Sequence, residues 1–165
     1  MYGKKIAAPQ TPDDKNSIKT IITKNELKIE FNDEKKITTI ATPGGIEIVL
    51  SDEDEGATIT TANGNKLSLS DKDKEVAIED ENNNAITMGS SGITIESKGN
   101  IELKATKDLV LKGKGISLKA NMNVEAEGLD INMKAKKAIA LEGTATAELK
   151  ASGKTTVKGA MLSLN

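Results

Sequence analysis

The sequence predicts an all-β fold made of many short strands, and three observations lead to this prediction. From about residue 93 onward, apolar residues occur in pairs two positions apart, and a new pair begins every seven or eight residues. Turn-forming residues, often glycine, separate the pairs. The chain has one Tyr, one Phe and no Trp, so large aromatic side chains contribute little to any core. A spacing of two is the period of a β-strand, and a fixed short period of strand and turn indicates stacked repeats.

The first ninety residues predict a linker followed by wide β-repeats. Residues 1–25 hold two of the three prolines and a polar stretch, which indicates a linker, with residues 18–23 as a candidate first strand. Residues 26–90 contain turns rich in Asn, Asp and Gly, and most of their repeats are 9 to 11 residues long. This pattern leaves two arrangements open, an antiparallel meander and a solenoid with wide loops. The apolar pairs of this segment are Leu27/Ile29, Ile46/Ile48, Ala57/Ile59, Leu67/Leu69, Val76/Ile78 and Ile86/Met88.

Residues 91–165 predict a shaft of octads that ends in a tip. Successive pairs begin 8, 8, 7, 8, 7, 8, 8, 8 and 7 residues apart, and glycines fall between them, where corners are expected. The Ala-rich stretch at 134–138 does not interrupt this phase, so no helix is expected. The pairs are Ile93/Ile95, Ile101/Leu103, Leu109/Leu111, Ile116/Leu118, Val124/Ala126, Ile131/Met133, Ile139/Leu141, Ala147/Leu149, Thr155/Val157 and Leu162/Leu164.

A single chain of octads buries too little apolar surface to be stable by itself. Burying a Leu or Ile side chain stabilises by about 1.5–3 kcal/mol, whereas ordering the backbone costs roughly 1–2 kcal/mol per residue. Three chains wound about a common axis resolve this, because each octad then pairs with octads of the other two chains and no lateral edge stays open. The sequence therefore predicts an intertwined homotrimeric triple-stranded β-helix, or β-prism. The predicted trimer core consists of Ile93, Ile95, Ile101, Leu103, Leu109, Leu111, Ile116, Leu118, Val124, Ile131, Met133, Ile139, Leu141, Leu149 and Val157.

The C-terminal residues predict a docking site. Three copies of the last apolar residues would form a small apolar end-face, and such a patch at a fibre end either binds a partner or aggregates. The open ladder at that end would also accept a partner's strands. The predicted docking residues are Met161, Leu162, Ser163, Leu164 and Asn165.

Composition excludes several kinds of site. No Cys or His is present, which excludes disulfides, thiol nucleophiles, imidazole bases and Cys/His zinc sites. The acidic run at 52–55 lacks the ligand spacing of a calcium loop and is expected to be a solvated turn. The net charge is −2 and all 23 basic residues are Lys, which gives no field typical of nucleic-acid binding. We expect no catalytic residue, no cofactor, no metal and no nucleic-acid partner.

Two segments and the octads between them carry a resemblance to a known family. The segment Ile18 to Glu34 (IKTIITKNELKIEFNDE) is similar to the segment that opens the C-terminal β-helix of VgrG spike proteins. The segment Thr156 to Asn165 (TVKGAMLSLN) resembles the tip of those proteins. The resemblance to the VgrG and contractile-phage tail-spike family covers about residues 15–165, with the segments in the same order.

The resemblance implies a structural, membrane-puncturing spike at the head of a contractile injection system. That system is a type VI secretion system, an extracellular injection particle or a phage tail baseplate. It implies a homotrimer that contacts the target membrane transiently, a PAAR-type tip protein on the C-terminal end, and a tail tube joined through hub and OB-fold domains absent from these 165 residues. It also implies assembly in the cytoplasm without a signal peptide, followed by secretion or, in a phage, a place in the virion. Some phage spikes bind iron through His pairs at the apex, and a chain without His is expected to need a separate tip protein.

Three other classes stay open at this point. A lipid-carrying β-jellyroll would need an open apolar groove, and normally a signal peptide, which the N-terminus does not resemble. A single-chain β-helix polysaccharide lyase usually has longer coils, aromatic sugar platforms and often an Arg, which are not found here. A polymerising β-helical scaffold would form an open series of assemblies rather than a fixed trimer.

Overall fold

The computed structural model describes residues 15–163, and these residues contain no helix. Nine strands form one sheet, their order in space is their order along the chain, and every neighbouring pair is antiparallel. Of the two arrangements left open by the sequence, the chain adopts the antiparallel meander. The strands are β1 (Ile18–Ile22), β2 (Lys28–Asn32), β3 (Ile37–Ala41), β4 (Glu47–Ser51), β5 (Gly56–Thr60), β6 (Lys66–Ser70), β7 (Glu75–Glu79), β8 (Ala85–Gly89) and β9 (Gly92–Glu96).

A 19-residue repeat generates the sheet. The odd-numbered strands β1 to β7 begin at residues 18, 37, 56 and 75, and the even-numbered strands β2 to β8 begin at residues 28, 47, 66 and 85. Five-residue loops alternate with four-residue turns between these strands, and a two-residue turn joins β8 to β9. Because strand and loop lengths repeat, successive hairpins have the same register. A constant register keeps the same face of the sheet apolar along its whole length.

The five-residue loops share one hydrogen-bonding device. Their first residues are Thr23, Thr42, Thr61 and Asp80, whose side-chain oxygens accept a hydrogen bond from the backbone N–H four residues later at 2.9–3.2 Å. The fourth residue of every loop has a positive φ, between +63° and +93°. A short polar side chain that bonds to the nearby backbone is the usual way to fix such a loop.

The four-residue turns are fixed in a similar way. Asn32, Ser51 and Ser70 precede them, and each side-chain oxygen accepts a hydrogen bond from the backbone N–H three residues later at 3.0 Å. The first residue of each turn also donates its backbone N–H to the carbonyl of the residue just before the preceding odd-numbered strand. These bonds run from Asp33 to Ser17, from Asp52 to Lys36 and from Asp71 to Glu55, at 2.8–3.1 Å. These bonds join neighbouring turns along one edge of the sheet.

Residues 97–163, the octad segment, contain no strand among their described residues and follow a regular course of bends. The bends lie at 98–99, 106–107, 114, 121–122, 129, 136–137, 144–145, 152–153 and 160. One bend therefore separates each predicted apolar pair from the next, at the seven- or eight-residue spacing of the sequence. No backbone–backbone hydrogen bond is formed within the described part of this segment.

Residues 93–165 are predicted to consist of strands and corners without helix, and within one chain the described octads have the corners but few of the strands. Only the first octad pair, Ile93/Ile95, lies in a strand, β9, which pairs with β8. A strand is defined by its ladder bonds, and the later octads of one chain do not pair with one another. The sheet begins with β1 at Ile18, where the sequence offered residues 18–23 as a first strand, and ends at Glu96.

Candidate assembly face and tip

One face of the sheet, here called the apolar face, carries two continuous rows of side chains. Residues paired across antiparallel strands lie on the same side, so the strand registers place eighteen residues on this face, and all but Lys19 and Thr38 are apolar. The first row is Ile21, Ile29, Ile40, Ile48, Ile59, Leu67, Ile78, Ile86 and Ile95. The second row is Lys19, Phe31, Thr38, Leu50, Ala57, Leu69, Val76, Met88 and Ile93.

Most apolar side chains of this face are exposed within one chain. Phe31 is 41% exposed, Leu50 is 51% exposed and Ile93 is 70% exposed. The only buried apolar residue within 15–163 is Ala77, at 3% exposure, and it lies on the opposite face. A contiguous apolar surface of this kind marks an interaction site rather than an ordinary protein surface.

The opposite face of the sheet is mostly polar, although Ile18, Ile22, Ile37 and Val49 lie on it, and small side chains fill most of its centre. Its middle positions include Thr39, Thr58 and Ser68, which are half-buried between neighbouring strands. Lys28 and Glu30 form an ion pair at 2.8 Å on this side. A sheet that is apolar on one face and polar on the other is built to pack on one side and meet solvent on the other.

The predicted trimer core residues are all exposed within the single chain. Their exposed fractions range from 52% at Ile139 to 81% at Leu141. Every described residue from 101 to 163 is likewise exposed. A segment with regularly spaced apolar pairs and no backbone partners of its own has neither its hydrogen-bonding groups nor its apolar surface satisfied within one chain.

The predicted docking residues at the tip fall partly outside the described part of the chain. Met161 is 88% exposed and Leu162 is 60% exposed, and Ser163 is exposed as well. Leu164 and Asn165 lie outside the described residues. The described tip residues therefore present apolar side chains to solvent.

Some carboxylates of the turns and loops accept hydrogen bonds from nearby groups of the same turn. In the acidic run at 52–55, Asp54 accepts a hydrogen bond from the Ser51 hydroxyl at 2.8 Å and returns its own N–H to that oxygen at 3.0 Å. Within residues 15–163 no group of three or more acidic side chains is arranged to hold a metal ion. Within this run, Asp54 is the residue whose carboxylate and N–H both bond to the Ser51 hydroxyl, which fixes the turn.

Asp80 has the most extensively bonded carboxylate, and it lies where the chain leaves the sheet. Its oxygens accept hydrogen bonds from the backbone and side-chain N–H groups of Asn84 at 2.9 and 2.7 Å, and these bonds, with those from Asn82, hold the pKa of Asp80 below the ordinary value. The Asn84 side-chain oxygen in turn accepts bonds from the Ser97 hydroxyl at 2.9 Å and from the Lys98 N–H at 3.0 Å. This relay ties the residues after β9 to the β7–β8 loop.

The chain matches no protein-family model and no curated protein. In the part of the chain that the structure describes, there is no helix of the length and hydropathy needed to cross a membrane.

Sequence reasoning missed strand β3 and two further positions of the apolar face, Phe31 and Leu50. The pairs Leu27/Ile29 and Ile46/Ile48 were expected in strands, but Leu27 and Ile46 lie in five-residue loops, and the strands carry Ile29/Phe31 and Ile48/Leu50 instead. The 19-residue spacing of the threonines that open the loops is the signal that separates loop from strand.

Proposed function

We propose that this chain is the shaft of a homotrimeric spike that pierces a target envelope as part of a contractile injection system. The observation that carries the proposal is an uncovered apolar surface that recurs from β1 to the last described octad. The resemblance of the segments at 18–34 and 156–165 to VgrG-type spikes supplies the function. The role is mechanical, without a catalytic step, and its energy comes from a contracting sheath.

The size of the apolar face supports assembly around a common axis. Nine strands about 4.8 Å apart and five residues long give a face of roughly 40 by 17 Å, or about 650 Å² per chain. Monomeric proteins rarely leave more than about 300–600 Å² of contiguous apolar surface exposed. Three such faces turned toward one another would bury both rows, while the polar faces with Thr39 and Thr58 would meet solvent.

The octad segment also supports an assembly of three chains. In the proposed trimer each octad lies between octads of the other two chains, which satisfies the backbone groups that have no partner within one chain. The inward pairs are then buried in a narrow core, and the first of them, in β9, continues the apolar face. The open edge of β9 would accept the first intertwined octad.

The tip supports a docking role for a PAAR-type protein. Met161 and Leu162 are exposed, and three copies would form an apolar end-face. Deleting residues 161–165 is expected to leave the trimer folded and to abolish binding of a PAAR-type protein in a pull-down. A matched control replaces Thr144 and Thr146, at a corner within the shaft, by Ala and is expected to bind as the wild type does. Equal binding by the deletion variant would refute the docking site.

The decisive experiment is the mass and shape of the particle in solution. Light scattering should give a fixed mass of about three times 17.4 kDa, and small-angle X-ray scattering should give a rod-like profile. A compact monomer would overturn the trimer and favour a lipid-carrying module with an open apolar face. An open series of masses would favour a polymerising scaffold.

A further inference from the structure

Charge is distributed unevenly along the chain, although the net charge is only −2. Residues 15–96, which form the sheet and its connections, hold nine lysines and sixteen acidic residues, a net charge of −7. Residues 97–163, the octad segment, hold twelve lysines and seven acidic residues, a net charge of +5. The small total therefore conceals an acidic sheet and a basic octad segment.

The lysines of the octad segment recur at one position of the repeat. In six of the eight octads from 101 to 158, a lysine directly follows the second apolar residue of the pair. Because side chains alternate along an extended chain, this position faces away from the inward pair. The resulting lysine stripe consists of Lys104, Lys112, Lys119, Lys134, Lys150 and Lys158.

Most of these positive charges have no acidic neighbour. Among the twelve lysines of residues 97–163, Lys98, Lys104 and Lys150 lie within 4 Å of a carboxylate, at 2.8, 2.8 and 3.9 Å. All twelve are exposed. Exposed ion pairs of this kind are weak, so they do not remove the positive field of the segment.

We propose that the octad segment binds anionic lipid surfaces through its lysine stripe, with the ammonium groups against headgroup phosphates. Three chains would carry a net charge of +15 on nine octad layers, or about 43 Å at about 4.8 Å per layer. That is one positive charge per roughly 3 Å, within a factor of two of the charge density of duplex DNA, which has one negative charge per about 1.7 Å. The acidic sheet is repelled by the same surface, so it is not expected to contribute to this contact.

Lipid phosphate fits this surface better than nucleic acid does. Residues 97–163 contain no Arg and no Phe, Tyr or Trp. Bidentate contact with guanine and stacking on bases, the two contacts that strengthen nucleic-acid binding beyond charge, are therefore not available. Ammonium groups on flexible stems are sufficient for adsorption to an anionic membrane, which depends on the number of charges near the surface.

The proposal takes only the three-chain assembly from the proposed function, and it does not require a contractile machine. Its test is co-sedimentation of the full chain with vesicles of phosphatidylcholine alone and vesicles that also contain phosphatidylglycerol. Light scattering on the same samples reports whether the chain is trimeric, so failure of the trimer is seen separately. We expect binding to the anionic vesicles only, and release as ionic strength rises.

Charge variants locate the contact. Replacing the stripe residues Lys112, Lys119 and Lys134 by Gln is expected to weaken binding to anionic vesicles at least about fivefold, the effect of losing one lysine at an anionic surface. The matched control makes the same change of charge in the acidic sheet by replacing Lys66, Lys72 and Lys74 by Gln, and is expected to bind within about twofold of the wild type.

Four results would overturn the proposal. Equal binding to neutral and anionic vesicles would indicate apolar adsorption. Equal weakening by the sheet control would place the contact outside the octad segment. No binding to anionic vesicles by a chain that is trimeric would remove the proposal and leave the spike. Retention of duplex DNA by such a chain, without binding to vesicles, would assign the basic surface to nucleic acid.

Discussion

The substitution Ile59→Asp tests whether the apolar face is turned inward. Ile59 lies in the first row, between Ile48 and Leu67, and is 40% exposed in the single chain. Full burial of such a side chain stabilises by about 1.5–3 kcal/mol, so covering the exposed part contributes about 1 kcal/mol per chain. The aspartate removes this contribution and places three carboxylates around one axis.

The magnitude follows from the state of the buried carboxyl group. Keeping it ionised costs several kcal/mol in lost hydration, and protonating a carboxyl of ordinary pKa at pH 7 costs about 4 kcal/mol. With the lost apolar burial, the sum is about 5 kcal/mol per chain and about 15 kcal/mol per trimer. Because about 1.4 kcal/mol is tenfold in an equilibrium constant, even a third of that sum lowers trimer formation by more than about a thousandfold.

The assay is sedimentation velocity on the full chain at a concentration where the wild type is a trimer. The matched control is Thr58→Asp, because Thr58 neighbours Ile59 in β5 and lies on the polar face. We expect Ile59→Asp to lose the trimer and Thr58→Asp to retain it. A trimeric Ile59→Asp variant with unchanged thermal stability would refute an inward apolar face, as would equal loss of the trimer in both variants.

Three further predictions concern the octads, the exit from the sheet and the loops. Ile131→Asp is expected to block trimer assembly by burying three like charges, and native mass spectrometry that finds an intact trimer would contradict its inward position. Asp80→Ala is expected to lower the melting temperature at neutral pH, whereas Asp80→Thr keeps the loop bond. Because the folded-state pKa of Asp80 is lowered, its stabilisation is present above the unfolded-state pKa and is lost as pH falls through the folded-state value, so the acid-dependent part of the melting curve should be smaller in both variants. Gly45→Ala is expected to destabilise more than Gly64→Ala in urea unfolding, because both glycines have a positive φ but only at Gly45 would the new Cβ lie 2.8 Å from a neighbouring side chain.

The strand period of two predicted where most side chains of the apolar face lie. The pairs Ala57/Ile59 and Leu67/Leu69, read from the sequence, do occupy the apolar face. A spacing of two identifies the face on which a residue lies but not the residue at which the strand begins. The predicted pairs that start at Leu27 and Ile46 are therefore displaced by two residues from the pairs in the strands. The first residue of each five-residue loop resolves this ambiguity, since its side chain closes the loop before the strand begins.

The choice between meander and solenoid could not be predicted, because it depends on backbone conformations that cannot be read from the residue types alone. Glu26 and Asn83 hold a positive φ at the loop position that Gly45 and Gly64 occupy in the other repeats. The four-residue turns also end in residues of positive φ, such as Lys36. Glu and Lys rarely adopt this conformation, whereas Asn adopts it more readily, and here the hydrogen bonds of the surrounding turn stabilise it.

The two halves of the chain differ in where their backbone partners lie, and this difference orders the assembly of the proposed trimer. Each sheet strand pairs with its neighbour along the chain, so the sheet forms through short loops at low entropic cost. The octads have no backbone partner within one chain, so in the proposed trimer they form hydrogen bonds only after the three chains associate. Octad pairs resemble one another, so a shift of one octad between chains loses little apolar contact.

The second row of the apolar face does not tolerate such a shift. From β2 to β8, large side chains on even strands alternate with smaller ones on odd strands. In the proposed trimer each layer would hold three copies of one residue, so shifting one chain by a strand would put one small side chain among large ones, which leaves a cavity, or one large side chain among small ones, which overpacks the layer. The large residues are Phe31, Leu50, Leu69 and Met88, and the smaller ones are Thr38, Ala57 and Val76. In the proposed trimer, the antiparallel sheet therefore fixes the register in which the octads of the three chains wind together.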